Sequence, residues 1–121
     1  MPNPRPAVVQ VVTATGSSRE AAALADMLLT ARLAACVQVW GPVESRYWWQ
    51  GRIESATEWL CVAKTTADRL DAAVAAVAQA HSYDLPEVVV TPVVGGYAPY
   101  LDWVATEAYD GIRTPPVEPP R

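Results

Sequence analysis

Apolar residues recur along this chain with two spacings, one typical of strands and one typical of helices. The run Ala-Val-Val-Gln-Val-Val-Thr-Ala at residues 7–14 predicts a buried strand. Leu70, Ala73, Val74 and Val77 form a single apolar stripe, which is typical of a helix packed on a sheet. Along the whole chain, these patterns predict strands at 7–14, 36–49, 52–65 and 87–94, and helices at about 18–33, 67–80 and 99–108.

The breaks between these elements carry signals of their own. Ser17 and Glu20 fit a capping box, in which the serine hydroxyl serves an early backbone N–H and the glutamate reaches back to the cap. Gly41-Pro42 predicts a bend or bulge within the second strand, and Gln50-Gly51 predicts a two-residue hairpin turn. Thr66 is predicted to cap the second helix.

The order of the elements is βαββαβ followed by a short helix. Two helices on one face of an antiparallel sheet predict a ferredoxin-like α+β sandwich with an extended β-hairpin and a short C-terminal helix. Pro92 has no backbone N–H, so the last strand is expected at a sheet edge. The second face of the sheet has no predicted cover, and its apolar residues predict self-association.

The hairpin carries aromatic bulk on both of its faces. Alternation places Tyr47 and Trp49 on one side and Trp48 on the other. A hairpin with one face in water has no need of large aromatic residues on both faces. We therefore interpret this segment as the surface through which a small oligomer assembles.

Composition predicts one domain with proline-rich ends. The 121 residues suit a single core, with residues 7–108 as the domain and residues 1–6 and 109–121 as disordered tails. A net charge of −4 and scattered basic residues argue against a nucleic-acid partner. No segment approaches the roughly 20 apolar residues of a membrane span. Two cysteines and no export signal predict a cytoplasmic protein with reduced thiols.

Candidate metal ligands are few. Cys36 can supply a thiolate suited to Cu(I), although a free cysteine is more often a small buried hydrophobe. His81, the single histidine, can ligate copper, but it can also owe its position to the C-terminal end of a helix. Cys61 lies between apolar residues and is interpreted as packing. Paired Cys-x-x-Cys or His-x-His spacings are absent from the sequence, which argues against structural zinc.

Catalytic signals are weak, and the chain is predicted not to be an enzyme. It has no Gly-x-Ser-x-Gly motif, no phosphate-binding loop and one histidine, which limits triad chemistry. Glu54, Glu58 and Glu87 are candidates for a polar cleft shared with Lys64 and Tyr83. The alternative is that these carboxylates fix a loop or an interface, and we favour that structural interpretation.

An ordered set of short motifs resembles the CutA family of divalent-cation tolerance proteins. The motifs are Leu33-Ala34-Ala35-Cys36-Val37, Ser45-x-Tyr47-x-Trp49-x-Gly51-x-Ile53-Glu54, Lys64-Thr65, His81-x-Tyr83-x-x-Pro86-Glu87, and Gly96 with Tyr100-Leu101-x-Trp103. The resemblance extends over residues 7–108. Two departures stand out: Gln38-Val39 replaces a frequent Asn-Ile, and Ser82 replaces a frequent proline between His81 and Tyr83.

The resemblance implies a ferredoxin-like subunit in a tight cytoplasmic homotrimer linked to tolerance of copper and other divalent metals. The architecture is also similar to the nitrogen-regulatory PII proteins, which are trimeric ligand sensors. The first hypothesis is a non-enzymatic trimer that binds or responds to metal, with Cys36 and His81 as ligands and no required cofactor. Its expected trimer contacts are Tyr47, Trp48, Trp49 and Trp103.

The alternative hypothesis is a PII-like signalling or scaffold trimer. It would bind a small ligand or a partner protein in clefts between subunits, through Lys64, Tyr83 and Glu87.

Overall fold

The computed structural model describes residues 5–111, and its elements follow the predicted βαββαβ order with a final helix. A single 3₁₀ turn, Ala67–Arg69, precedes the second helix. The elements are β1 (Val8–Thr15), α1 (Ser18–Thr30), β2 (Cys36–Trp49), β3 (Arg52–Thr66), α2 (Leu70–Ala80), β4 (Val88–Pro92) and α3 (Ala98–Glu107). The predicted ferredoxin-like α+β fold is therefore confirmed.

The four strands form one antiparallel sheet in the order β2-β3-β1-β4. Val11 of β1 lies between Ala63 of β3 and Val90 of β4, so β1 is paired on both sides. Pro92 is the last residue of β4, which lies at the sheet edge. A proline has no N–H to donate, and at an edge no neighbouring strand needs that donor. The edge position predicted for the last strand is confirmed.

The main core lies between the sheet and the pair α1 and α2. Val11, Leu28 and Val77 are each at most 2% exposed, and Ala63 and Ala73 let the helices approach the strands closely. These side chains form one contiguous cluster, which removes their apolar surface from water. The helical face of the sheet is thus covered within the chain.

The second face of the sheet is covered at one end only. Val8 and Val11 are three residues apart on β1, so their side chains lie on opposite faces. Val8 packs with Leu101 and Val104 of α3 in a separate cluster. The short C-terminal helix therefore closes part of the face that the sequence left open.

The first helix ends earlier than predicted. Arg32 adopts a left-handed backbone conformation with φ of 58°. The N–H of Leu33 donates to the carbonyl of Leu28, and the N–H of Arg32 donates to that of Leu29. This is the hydrogen-bond pattern of a Schellman C-cap, which stops the helix at Thr30. The predicted end near residue 33 is wrong by about three residues. Glycine is the usual residue in this left-handed position, and an arginine there gives no sequence signal for the end of the helix.

Two smaller predictions need correction. The Thr66 side chain makes no cap hydrogen bond to the backbone, because its hydroxyl bonds to the carboxylate of Asp68 instead. The 3₁₀ turn lies between Thr66 and the second helix. The last strand, Val88–Pro92, is shorter than predicted, although the N–H of Val93 still donates to the carbonyl of Val8 on β1.

The hairpin of β2 and β3 has the predicted turn and bulge. Gln50 and Gly51 have φ of 49° and 80°, which is the two-residue turn that matches strand twist. The register shifts between Trp40 and Val43, around a cis peptide bond at Gly41-Pro42. A Cβ on Gly41 would lie 2.6 Å from the Trp59 ring, so this position requires glycine.

The ends of the described chain contact the domain. Arg5 pairs with Asp102 at 3.0 Å, and the Arg32 guanidinium lies 5.2 Å from the centre of the Tyr109 ring. The rest of the two predicted tails, residues 1–4 and 112–121, lies outside the described residues. Within residues 5–111, none of the helices is long and apolar enough to cross a membrane.

Candidate ligand cleft and predicted metal residues

A buried histidine shapes the loop that follows α2. The ring of His81 is fully buried, and its Nε2 lies 2.8 Å from the carbonyl oxygen of Ala14 on β1. Its Nδ1 accepts a hydrogen bond from the backbone N–H of Tyr83 at 3.1 Å. Because Nδ1 accepts, the proton on Nε2 is the one that is donated to the Ala14 carbonyl. Both ring nitrogens are therefore occupied by the backbone.

Ser82 attaches the same loop to the start of α1. Its backbone N–H and its hydroxyl both donate to Oε1 of Glu20, at 3.1 and 2.9 Å. Ser17 accepts from the backbone N–H of Glu20 at 3.1 Å, as predicted for a cap. The glutamate does not reach back, however, so only half of the predicted capping box forms. A proline at position 82 would supply neither donor, which gives the departure from the family motif a structural role.

Tyr83 connects this loop to β3. Its hydroxyl donates to Oε2 of Glu58 at 3.0 Å, and its ring lies 4.7 Å from that of His81. Burial, together with the hydrogen bond to Glu58 and the negative charge of that carboxylate, raises the pKa of Tyr83 to about 12. The phenol therefore remains a hydrogen-bond donor at neutral pH.

A cleft of about 790 Å³ lies between this loop and the hairpin. Its walls come from β1, from both strands of the hairpin and from the loop before β4. The lining residues are Ala14, Ser45, Arg46, Tyr47, Trp48, Trp49, Glu58, Tyr83, Asp84, Leu85, Pro86 and Glu87. Of the residues predicted for a ligand cleft, Tyr83, Glu58 and Glu87 come together here.

Two members of the predicted cleft lie elsewhere. Lys64 pairs in register with Cys36, and its Nζ donates to Oε1 of Gln38 at 2.7 Å. Glu54 lies opposite Tyr47 near the hairpin tip and does not line the cleft. The cleft consequently contains carboxylates but not the predicted lysine.

Cys36 and His81 lie at different ends of the sheet within one subunit. Cys36 pairs with Lys64, which in turn pairs with Gln10, whereas His81 bonds to Ala14. Four residues along β1 correspond to about 13 Å, and two strand spacings add about 10 Å across the sheet. Among residues 5–111, no group of three or more His, Cys, Asp or Glu side chains is placed to hold a metal ion.

The two cysteines have different surroundings. Cys61 is 1% exposed, and its Sγ lies 3.9 Å from the carbonyl oxygen of Ala21. Burial raises the pKa of its thiol to about 11, so it remains neutral at physiological pH. Cys36 is half-buried and unpaired. Only Cys36 therefore combines a free thiol with partial access to solvent.

The aromatic residues proposed for assembly also differ in exposure. Trp48 lies opposite Ile53 on one face of the hairpin, and these side chains are 71% and 67% exposed. Tyr47 and Trp49, on the other face, are 43% and 41% exposed. Trp103 is half-buried and packs with the α3 cluster of its own chain. The hairpin thus exposes large apolar surface on both sides.

Comparison with known proteins identifies the family. Residues 9–107 match the model of the family described as CutA1 divalent ion tolerance protein. The chain belongs to the CutA1 family. It is 38% identical over 96 residues to the divalent-cation tolerance protein CutA of Thermus thermophilus, covering 78% of this chain and 93% of that protein.

A plant relative matches part of its own length. The rice protein CutA 1, named chloroplastic, is 40% identical over 95 residues, which is 78% of this chain and 54% of the rice protein. The chain thus spans about half the length of the plant relatives it matches.

Solved CutA1 structures share the fold. The rice structure superposes with a TM-score of 0.84 at 32% identity, covering 88% of this chain and 98% of the rice chain. The Thermus thermophilus structure superposes with a TM-score of 0.82 at 32% identity, covering 84% of this chain and 99% of the Thermus chain. The subunit fold of these solved CutA1 structures therefore matches this chain over most of its length.

Several residues that line the cleft in this CutA1 chain were not predicted from its sequence. Arg46, Trp48, Asp84 and Leu85 line it without having been predicted there. Their approach depends on the twist of a long hairpin over a loop nearly 40 residues away along the chain. A local pattern contains no signal for such a contact, although Asp84 directly follows Tyr83, which was a predicted cleft residue.

Proposed function

We propose that this chain acts in divalent-cation tolerance as a non-enzymatic cytoplasmic homotrimer that binds or responds to copper or another divalent metal. The observation that carries the proposal is the match of residues 9–107 to the divalent ion tolerance family. The absence of nucleophile and phosphate-loop motifs from the sequence argues for binding rather than catalysis.

Exposed apolar surface on the hairpin supports self-association. Trp48 and Ile53 are each about two-thirds exposed or more in the isolated subunit. Contiguous apolar patches of this kind mark interaction sites in soluble proteins, and buried aromatic residues dominate interface energetics. We propose that Tyr47, Trp48 and Trp49 contact neighbouring subunits, with Trp103 supporting the α3 end.

Cys36 is the stronger of the two proposed metal ligands. Its half-buried free thiol has the chemistry that Cu(I) prefers. His81 fits less well, because a metal on Nδ1 would displace the Tyr83 N–H and a metal on Nε2 would displace the Ala14 carbonyl. A trimer supplies three copies of Cys36, which offers a route to more than one thiolate ligand.

Anaerobic copper titration of the purified oligomer tests the metal role. We expect saturable binding that is lost in Cys36→Ser and kept in the matched control Cys61→Ser, whose thiol is buried. His81→Ala is included with a circular dichroism check, since it also removes a loop contact. Equal binding by wild type and Cys36→Ser, or no binding at all, would remove Cys36 as a ligand.

A second candidate function is a PII-like ligand sensor or scaffold. The observation that favours it is the cleft of about 790 Å³ with Tyr83 and Glu87 in its walls, a volume in the usual range for small-molecule sites. Lys64 bonds to Gln38 outside the cleft, so its charge is not available there to bind an anionic ligand. A thermal-shift screen of nucleotides and metabolites tests this candidate, and silence across the screen would count against it.

A further inference from the structure

A buried carboxylate in the cleft wall has no cationic partner in its own subunit. Glu58 is only 7% exposed and accepts one hydrogen bond, from the Tyr83 hydroxyl. The ion pairs within residues 5–111 involve other carboxylates, those of Glu20, Glu44, Asp102 and Glu107. Burying a charge is costly unless it is paired, so we expect a cation to reach Glu58 from outside the subunit.

The cleft beside Glu58 is walled by the surface that we propose for contacts between subunits. Tyr47 and Trp49 line the cleft and belong to that surface. In the proposed trimer, a neighbouring chain therefore lies next to this wall. The cleft cannot supply the cation itself, because Arg46, the basic residue among its described lining residues, pairs with Glu44 at 3.2 Å.

Two cations of the described chain remain for such a contact, Arg19 and Arg52. Arg19 is in the first turn of α1, which packs on the other face of the sheet. Arg52 is exposed and lies opposite Trp49 at the hairpin tip. The other basic side chains within residues 5–111 bond to polar groups: Arg5 to Asp102, Arg32 to Glu107, Arg46 to Glu44, Lys64 to Gln38 and Arg69 to the Arg32 carbonyl.

Arg52 cannot pair with Glu58 of its own chain. Both residues lie on the same face of β3, but their separation of six residues corresponds to about 20 Å along the strand, beyond the reach of an arginine side chain. Subunits in a cyclic trimer make heterologous contacts, in which one surface of each subunit meets a different surface of the next. A basic hairpin tip on one subunit and an acidic cleft on the next meet this requirement.

The cleft suits a guanidinium group in both charge and shape. Asp84 and Glu87 add negative charge to the lining that contains Glu58, and the rings of Trp48 and Tyr83 form part of the same wall. A guanidinium group can bind a carboxylate through two parallel hydrogen bonds, and it also stacks on aromatic faces. An ammonium group on a lysine offers neither the two parallel bonds nor the planar stacking surface.

We propose that Arg52 of the partner subunit enters the cleft and pairs with Glu58, so that the hairpin tip of one subunit completes the cleft of the next. The proposal rests on the trimer proposed above and names a charge pair that holds it together. It also makes each cleft a site built by two subunits, in which Tyr83 orients the Glu58 carboxylate through its hydroxyl.

Subunit exchange between isotope-labelled and unlabelled protein, followed by native mass spectrometry, tests the proposal. Arg52→Gln and Glu58→Gln should each exchange about tenfold faster than wild type or more, because losing one partner of a buried charge pair acts mainly on dissociation. The double variant should exchange no faster than the faster single variant, since both changes remove the same contact. Arg52→Lys keeps the charge and should give an intermediate rate.

Arg19→Gln and Asp71→Asn are the matched controls, because they make the same changes of charge on the exposed surfaces of α1 and α2. Both should exchange at the wild-type rate, and circular dichroism checks that every variant is folded. A wild-type rate in Glu58→Gln, or effects that multiply in the double variant, would overturn the charge pair and leave the trimer standing. A wild-type mass of one chain would instead refute the trimer itself.

Discussion

The strand β1 and the far half of the hairpin are both rich in large apolar residues, yet only β1 is covered by its own chain. Val11 on β1 is 2% exposed and packs against Leu28 of α1, whereas Trp48 and Ile53 of the hairpin are 71% and 67% exposed. Strand pairing satisfies the backbone in both regions. Strand pairing alone does not remove side chains from water. Their burial requires a second layer of structure packed on the sheet.

The difference separates two sources of stability in this protein. The core beneath the helices is stabilised by burial within one chain, so its contribution is independent of protein concentration. In the proposed trimer the hairpin would be buried by another molecule, so its contribution should depend on concentration by mass action. Leu28→Ala and Trp49→Ala test this division, and changes at His81 and Tyr83, with smaller expected effects, test the loop that lies beside the hairpin.

Leu28→Ala should have the largest effect on subunit stability. It removes a side chain that is 1% exposed in the core, and such cavities cost about 2–5 kcal/mol of unfolding free energy. The neighbouring Leu29 is 39% exposed, so Leu29→Ala is the matched control, with an expected loss below about 1 kcal/mol. Urea denaturation at several protein concentrations measures both. Similar losses in the two variants would contradict the assignment of the core.

Trp49→Ala should weaken assembly while leaving the subunit folded. Truncating a tryptophan at the centre of an interface costs about 2–4 kcal/mol of association free energy. Asp71→Ala on the surface of α2 is the control and should leave the mass unchanged. Light scattering over a dilution series measures the effect. A wild-type mass near that of one 13.0 kDa chain would refute the trimer itself.

His81→Ala should loosen the loop at the edge of the cleft. It leaves the Ala14 carbonyl and the Tyr83 N–H without their partner, at a cost of about 1–3 kcal/mol. Hydrogen exchange at the Tyr83 amide should accelerate, with little change in the strands. Ser82→Ala, which keeps the backbone donor to Glu20, is the milder control. Unchanged exchange in His81→Ala would show that the ring does not hold the loop.

Alkaline pH should produce the smallest effect, through Tyr83. Because its pKa is raised to about 12 in the folded protein from an ordinary value of 10.0, the neutral phenol is favoured by folding. Its contribution is complete below pH 10 and is lost as the pH rises toward 12. Tyr83→Phe should show a shallower decline of stability over that window.

Absorbance of tyrosinate against pH, with Tyr83→Phe as the reference, measures this titration directly. The raised pKa of Cys61, about 11, is present in both proteins and cancels in the comparison. If the two absorbance curves differ by one tyrosine that titrates near pH 10, the contact with Glu58 does not hold the proton.

The regular elements were readily predicted because their signals are local. The apolar run of β1, the stripe of α2 and the Gln50-Gly51 turn each require only neighbouring residues, and each is confirmed. The errors lie where another side chain competes with the predicted cap. Glu20 bonds to Ser82, which is 62 residues away along the chain, and Thr66 bonds to the nearby Asp68 instead of the backbone.

The candidate site was only partly predictable for the same reason. Tyr83, Glu58 and Glu87 were proposed as cleft residues and do line the cleft, whereas Lys64 lies outside it. Lys64 and Glu58 lie on the same face of β3, but their separation of six residues corresponds to about 20 Å along the strand, so a lysine on the correct strand can still lie far from the site. Whether Cys36 and His81 bind metal remains a prediction, and within one subunit they lie apart.

The sequence by itself determined the order of the elements, the hairpin turn and the family, because periodicity, turn chemistry and ordered motifs are properties of short segments. Only the tertiary structure decided which polar groups meet. It occupied both nitrogens of His81 with backbone partners and buried Glu58 beside Tyr83. The contact of His81 with Ala14 joins residues 67 positions apart and that of Tyr83 with Glu58 joins residues 25 apart, and both depend on strand register and on the path of one loop around the sheet.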